Sequence, residues 1–97
     1  MAFIFQSDKK KARLNLKRHK VSFEEASTVF GDTLSRTIDD PLHSEDEDRY
    51  VIIGQSVQGR LLVVVHTVRG GSIRIISARV ATPTERKKYE EGSKDST

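Results

Sequence analysis

Residues 60–80 limit what this chain can become more than any other stretch. Arg60-Leu-Leu-Val-Val-Val-His66-Thr-Val-Arg69 and Ser72-Ile-Arg74-Ile-Ile-Ser-Ala-Arg79-Val80 are apolar, β-branched runs on either side of Gly70-Gly71. Such runs predict two antiparallel strands, Leu61 to Val68 and Ile73 to Val80, joined by a tight turn that exploits the freedom of glycine at positive φ. A hairpin this apolar needs burial, yet it carries Arg60, His66, Arg69, Arg74 and Arg79. Charge inside a buried sheet is costly unless paired. A sheet that spans a groove for a polyanion has a use for it.

Alternation refines that expectation. Leu62, Val64 and His66 point one way, and Leu61, Val63, Val65 and Thr67 the other. Both sets are largely apolar, so this strand should be central or covered on both sides. Arg74 and Arg79 are five positions apart, so in a regular strand they face opposite sides unless a bulge intervenes. Arg79, at the strand end, is the better candidate for a site. Arg74 is expected to pair with an acidic residue on a neighbouring strand. Arg60 and Arg69 sit at turns, where solvated charge is the simplest explanation.

The remaining elements follow from local signals. Phe3-Ile-Phe5 is a short strand, and Ser7 or Asp8 can cap a helix over residues 9–19 whose inner face holds Ala12, Leu16 and His19. Ser22-Phe-Glu-Glu25 has capping-box spacing and opens a second helix with Phe23, Ala26, Val29 and Phe30 inward, closed by Gly31. Leu34 to Ile38 is a weak strand, Asp39 to Asp48 an acidic exposed loop, and Tyr50 to Ser56 a strand. Thr82-Pro-Thr-Glu85 starts a final helix to about Glu91. Residues 1–91 form one domain and 92–97 a small, polar, flexible tail. The order is β-α-α-β-β-β-β-α, an α+β protein with a small antiparallel sheet flanked by helices.

Charge is unevenly spread. Residues 1–20 hold seven Lys/Arg against one Asp, residues 39–50 six Asp/Glu against one Arg, and residues 60–91 seven Lys/Arg against three Glu. Two basic surfaces separated by an acidic segment suit a nucleic-acid partner. With no cysteine, disulfides and thiolate metal sites are excluded. No apolar run approaches the ~20 residues of a membrane span, so a soluble intracellular protein is expected. His43 in the acidic loop lacks calcium-loop or zinc-motif spacing, so no metal is expected. Nucleotide-cofactor and hydrolase motifs are absent too. His66 is either a neutral core histidine or a proton-transfer group, and His19 is expected to be structural.

Several segments, taken in order, resemble the BrnT family of type II toxin–antitoxin systems. They are Lys11-Ala12, Asn15-Leu16-Lys17, His19-Lys-Val-Ser-Phe-Glu-Glu-Ala26, Val29-Phe30-Gly-Asp32 and Asp40-Pro-Leu-His-Ser-Glu-Asp-Glu-Asp-Arg49. Ile53-Gly54, Gly59-Arg60-Leu-Leu-Val-Val-Val, Arg74-Ile-Ile-Ser-Ala-Arg79, Ala81-Thr, Glu85-Arg86 and Tyr89-Glu90 continue the match. Two positions depart from the family pattern: Ser7 stands where a tryptophan is usual and Lys20 where a glycine is usual.

The resemblance implies a RelE-like twisted sheet and a metal-independent endoribonuclease without cofactor that inhibits translation in the cytoplasm. It also implies a cognate BrnA-like antitoxin, with operator DNA reached through the toxin–antitoxin complex and no membrane partner. In that chemistry an RNA 2′-hydroxyl attacks the adjacent phosphorus. Arg79 would stabilise the phosphorane, Arg60 or Arg74 would assist, and His66 would transfer a proton. Lys9, Lys10, Lys11, Lys17, Arg69 and Arg86 would hold the RNA. The alternative is a noncatalytic RNA-binding or protein-interaction module.

Overall fold

The computed structural model describes residues 4–39 and 49–95. Five strands form one sheet: β1 (Ile4–Gln6), β2 (Arg36–Asp39), β3 (Arg49–Gln55), β4 (Leu61–Arg69) and β5 (Ser72–Val80). Helices α1 (Lys9–His19) and α2 (Phe23–Thr28), with a 3-10 turn at Val29–Gly31, separate β1 from β2, and α3 (Pro83–Asp95) follows β5. The spatial order is β1-β5-β4-β3-β2. β1 pairs parallel to β5, and the other three pairings are antiparallel. The doubly apolar β4 is thus the central strand, as its alternation requires.

The core lies on one face. Ile52, Leu62, Val64, Ile75 and Ala78 of the sheet pack against Val21, Phe23, Ala26 and Val29, with Phe5, Ala12 and Phe30 at the margin. Ile75 and Ala78 are three apart in one strand, yet both join this core. Only an irregular strand allows that. The register explains it: Val65 faces Ser77 and His66 faces Ile75, so Ile76 is an extra residue, a β-bulge. The bulge reverses the parity beyond it.

Helix ends obey local chemistry. Asp8 caps α1 by accepting the Lys10 N–H at 2.8 Å, and Ser22 caps α2 by accepting the Glu25 N–H at 3.0 Å. α1 ends at Lys20, whose φ of 59° is left-handed. A non-glycine residue meets Cβ repulsion there, so the departure from glycine at this position carries a cost. α3 runs on through Asp95, so the chain from Gly92 is helical rather than a tail beginning there. Its early residues set a register that the polar stretch continues.

α1 is bound to the sheet through Asn15, which is only 5% exposed. β1 covers β5 from Ser72 to Arg74 and no further. Beyond that point the Asn15 side chain substitutes for a strand. Its Nδ2 donates to the Ala78 carbonyl at 2.9 Å and its Oδ1 accepts the Ala78 N–H at 3.0 Å. A further bond from Nδ2 to the Val21 carbonyl at 2.9 Å ties in the α1–α2 connection. Leu16 and His19, expected inward, are exposed instead, because Ala12 and Asn15 take the inner face of α1.

Candidate nucleic-acid interface

The bulge decides which charges share a surface. Directly opposed residues on paired strands share a face. Arg79 faces Val63 and Arg74 faces Thr67, four positions further along β4, so both arginines lie on the sheet face away from the core. The regular-strand expectation, which parted them, is corrected by the extra residue Ile76. Arg69 pairs with Ser72, Arg49 with Thr67 and Arg36 with Ile53, which adds three more arginines to that face.

Arg79 is held end-on by a carboxylate. Its Nη1 donates to Glu85 Oε1 at 2.7 Å and its Nη2 to Glu85 Oε2 at 2.8 Å. Glu85 also accepts the Thr82 N–H at 2.9 Å, and Thr82 Oγ1 accepts the Glu85 N–H at 3.2 Å, completing the reciprocal capping box of α3. The guanidinium, then burial opposing it, then the cap bond set the Glu85 carboxyl, which falls to about 2. Arg79 stays protonated because that bond outweighs its burial. The planar fork is thereby fixed in orientation, with Nε and the outer N–H groups not used by Glu85.

α3 crosses this face. Arg36 Nη1 donates to the Lys88 carbonyl at 3.2 Å, and Tyr89 donates its hydroxyl to Asp32 Oδ2 at 2.7 Å. The helix therefore reaches from Arg79 on β5 to Arg36 on the β2 edge. Asp32 also accepts the Gln55 and Leu34 N–H groups, at 2.8 and 2.9 Å. Burial and the bond to Asp32 push the Tyr89 hydroxyl up to about 12.

Two sequence-predicted site residues lie on the other side. Arg60 is paired at its turn, not merely solvated charge: Nε donates to Glu25 Oε2 at 2.9 Å, and Nη2 donates to Glu25 Oε1 and to the Lys20 carbonyl. Ser56 Oγ donates to the same carboxylate at 2.7 Å, so Glu25, 4% exposed, is fully engaged. This cluster locks α1, α2 and the β3–β4 turn together, and it holds the Glu25 carboxyl below its ordinary value, chiefly through Arg60. His66 is 3% exposed on the core face, with its ring 4.8 Å from Phe30 and 5.9 Å from Tyr50. Burial lowers its pKa, so it is neutral at neutral pH. Arg60, His66 and Arg79 do not converge.

Arg74 faces Thr67 and Gln6 across the sheet, not an acidic residue. Lys9, Lys10, Lys11 and Lys17 are exposed on α1, and Arg86 is exposed on α3. Among the described residues no group of three His, Cys, Asp or Glu gathers to hold a metal ion. No described helix is long and apolar enough to cross a membrane. His43 and most of the acidic loop lie outside the described residues. Glu85, Arg36 and Arg49 were absent from the sequence-based site. Only Glu85 had a signal, its capping-box spacing, and that signal spoke of a helix end.

Comparison with known proteins gives the class first. The fold matches the crystal structure of the Brucella abortus ribonuclease toxin BrnT with a TM-score of 0.66 at 18% identity, covering 84% of this chain and 99% of that one. The two chains share this α+β fold. A search of curated proteins returns no match. The model of the BrnT family, described as the ribonuclease toxin of a type II toxin–antitoxin system, matches residues 8–85. The chain belongs to the BrnT family. With that membership come a toxin's role, RNA as target and an antitoxin as partner, and the noncatalytic alternative is not favoured.

Proposed function

We propose that the protein cleaves RNA at the sheet face away from the core, beside α3, with Arg79 as the residue that binds the scissile phosphate. The observation that carries this reading is the β-bulge, which brings Arg74 and Arg79 onto one face while Glu85 fixes the Arg79 fork. In the reaction the RNA 2′-hydroxyl gives its proton to water as its oxygen attacks the adjacent phosphorus, the bond to the 5′-oxygen breaks with that oxygen taking a proton from water, and a 2′,3′-cyclic phosphate forms. Negative charge grows on the non-bridging oxygens, where a preorganised guanidinium stabilises the transition state more than the ground state. The oriented fork suits that role, and its fixed charge supports a reaction that needs no metal. Arg74 assists by holding the backbone, and Arg69, Arg86 and the lysines of α1 contribute long-range attraction. Arg60 and His66, engaged on the core side, support the fold in this reading.

A BrnA-type antitoxin would silence the toxin by covering the same arginines with acidic or backbone acceptors. Operator DNA would be contacted through the complex, and the site of action would be the cytoplasm, where RNA is translated.

Purified protein is incubated with defined RNA, with and without EDTA, beside Arg79→Gln and Arg79→Ala. Cleavage should persist in EDTA and fall about 10²- to 10³-fold in either variant, the size seen when one transition-state donor is removed. Folded Arg79 variants that cut at the parental rate would sink the assignment.

A further inference from the structure

We propose that the sheet face away from the core holds a second phosphate position, formed by Arg74 and Thr67, which grips the RNA backbone away from the bond that is cut. It rests on the ribonuclease reading above and extends it to the part of the substrate that lies beyond Arg79.

The position is defined by neighbours across three strands: Thr67 on β4 faces Arg74 on β5, which faces Gln6 on β1. Thr67 is 2% exposed, and its Oγ1 has no hydrogen-bond partner among the described residues. Buried hydroxyls are seldom left without a partner. Arginine side chains occupy the register positions on both sides of Thr67, Arg49 and Arg74. Guanidinium groups only donate. A phosphate oxygen only accepts, so one phosphate can take the Thr67 O–H and the Arg74 fork together. Among the described residues Asp8 is a carboxylate that feels Arg74, and its Oδ1 already receives the Lys10 and Lys11 N–H groups at the start of α1.

This position is distinct from Arg79. Thr67 and Val63, the partners of Arg74 and Arg79, are four residues apart on β4, a separation of ~13 Å at strand rise. The Arg79 fork is turned to Glu85 at the start of α3, beyond the end of β5 that is farther from Arg74. One phosphate therefore cannot use both arginines. Between them Val51 and Val65, opposed on β3 and β4, offer a half-buried aliphatic strip. An RNA strand laid along β4 would set one phosphate at Arg79, pass sugar and base over the strip, and set a later phosphate at Arg74. Arg74 is only partly buried, so it meets an arriving phosphate first, and the phosphate reaches the buried Thr67 hydroxyl by displacing the side chains that cover it.

The test uses the full chain and a length series of non-cleavable 2′-O-methyl oligonucleotides, with affinity read by fluorescence anisotropy at several salt concentrations. Arg74→Gln should weaken binding of long oligonucleotides roughly tenfold while leaving the shortest binders nearly unchanged. It should also reduce the slope of log affinity against log salt by about 0.7, the value of one single-strand phosphate contact. Thr67→Val should weaken long oligonucleotides several-fold without changing that slope, and Thr67→Ser should restore the affinity because it keeps the hydroxyl. Thermal unfolding confirms that each variant is folded. A salt slope unchanged in Arg74→Gln, or equal weakening at every length, overturns the second position. If the parent cuts RNA but Arg74→Gln binds like the parent, only this proposal falls. If the parent cuts nothing yet the length and salt effects of Arg74→Gln hold, the second position stands and the cleavage reading falls.

Discussion

Replacing Asn15 tests whether a side chain does the work of a strand. Asn15 makes three hydrogen bonds of 2.9 to 3.0 Å, two with the Ala78 backbone and one with the Val21 carbonyl. In Asn15→Leu all three backbone groups lose their partner while the branched side-chain shape is kept, so no cavity opens. An unsatisfied buried polar group costs about 1–3 kcal/mol. Water reaches part of the edge once β5 is uncapped, so the three losses do not simply add, and we expect about 3–5 kcal/mol in total. With a urea m-value of about 2 kcal/mol/M for a chain of this size, the midpoint should fall by roughly 2 M. Amide exchange at Ala78 should accelerate more than at Leu62, which is paired within the sheet. Leu14→Ala, at a neighbouring exposed position, should shift stability by less than about 0.5 kcal/mol. If Asn15→Leu unfolds within about 0.5 kcal/mol of the parent, the surrogate-strand argument is wrong, because the edge would then be satisfied without it.

Other outcomes follow from the same structure. Lys20→Gly should stabilise the protein by about 0.5–1 kcal/mol, since it removes left-handed strain of ~1–2 kcal/mol but returns entropy to the unfolded chain; thermal denaturation reads this as a rise of a few degrees. Glu85 titrates in the fold at about 2 against 4.5 in an unperturbed chain. Its contribution is therefore complete above pH 4.5 and is lost as pH falls from 4.5 towards 2. Glu85→Gln should remove that part of the acid sensitivity in pH-dependent urea melts. His66 acts at higher pH in the same direction: burial depresses it below 6.5, so stability should decline as the unfolded histidine protonates below that value. His66→Gln or His66→Phe, compared by urea melts between neutral and mildly acid pH, should flatten that slope.

Much of the scaffold was legible because its rules are local. Asp8, the Ser22 cap and the reciprocal Thr82–Glu85 box lie where side chain and backbone are two or three residues apart. The apolar alternation of β4 announced a central strand for the same reason, since period two is written in adjacent residues. Chain order and segment spacing carried the family resemblance, which the match over residues 8–85 bears out.

The interface was another matter. Nothing between Ile73 and Val80 marks Ile76 as an extra residue. The bulge exists only when β5 is laid against β4, and Asn15, 63 positions from Ala78, takes the strand edge beside it. That single residue reverses parity and places both arginines on one face. Arg60 was equally unreadable, because its partner Glu25 is 35 residues distant and its turn looked like a place for solvated charge. The sequence by itself determined which segments are strands and helices, through periodicity and capping. Strand register and pairings between distant parts of the chain, which no local signal records, set which arginines share the sheet face away from the core and which hold the fold together.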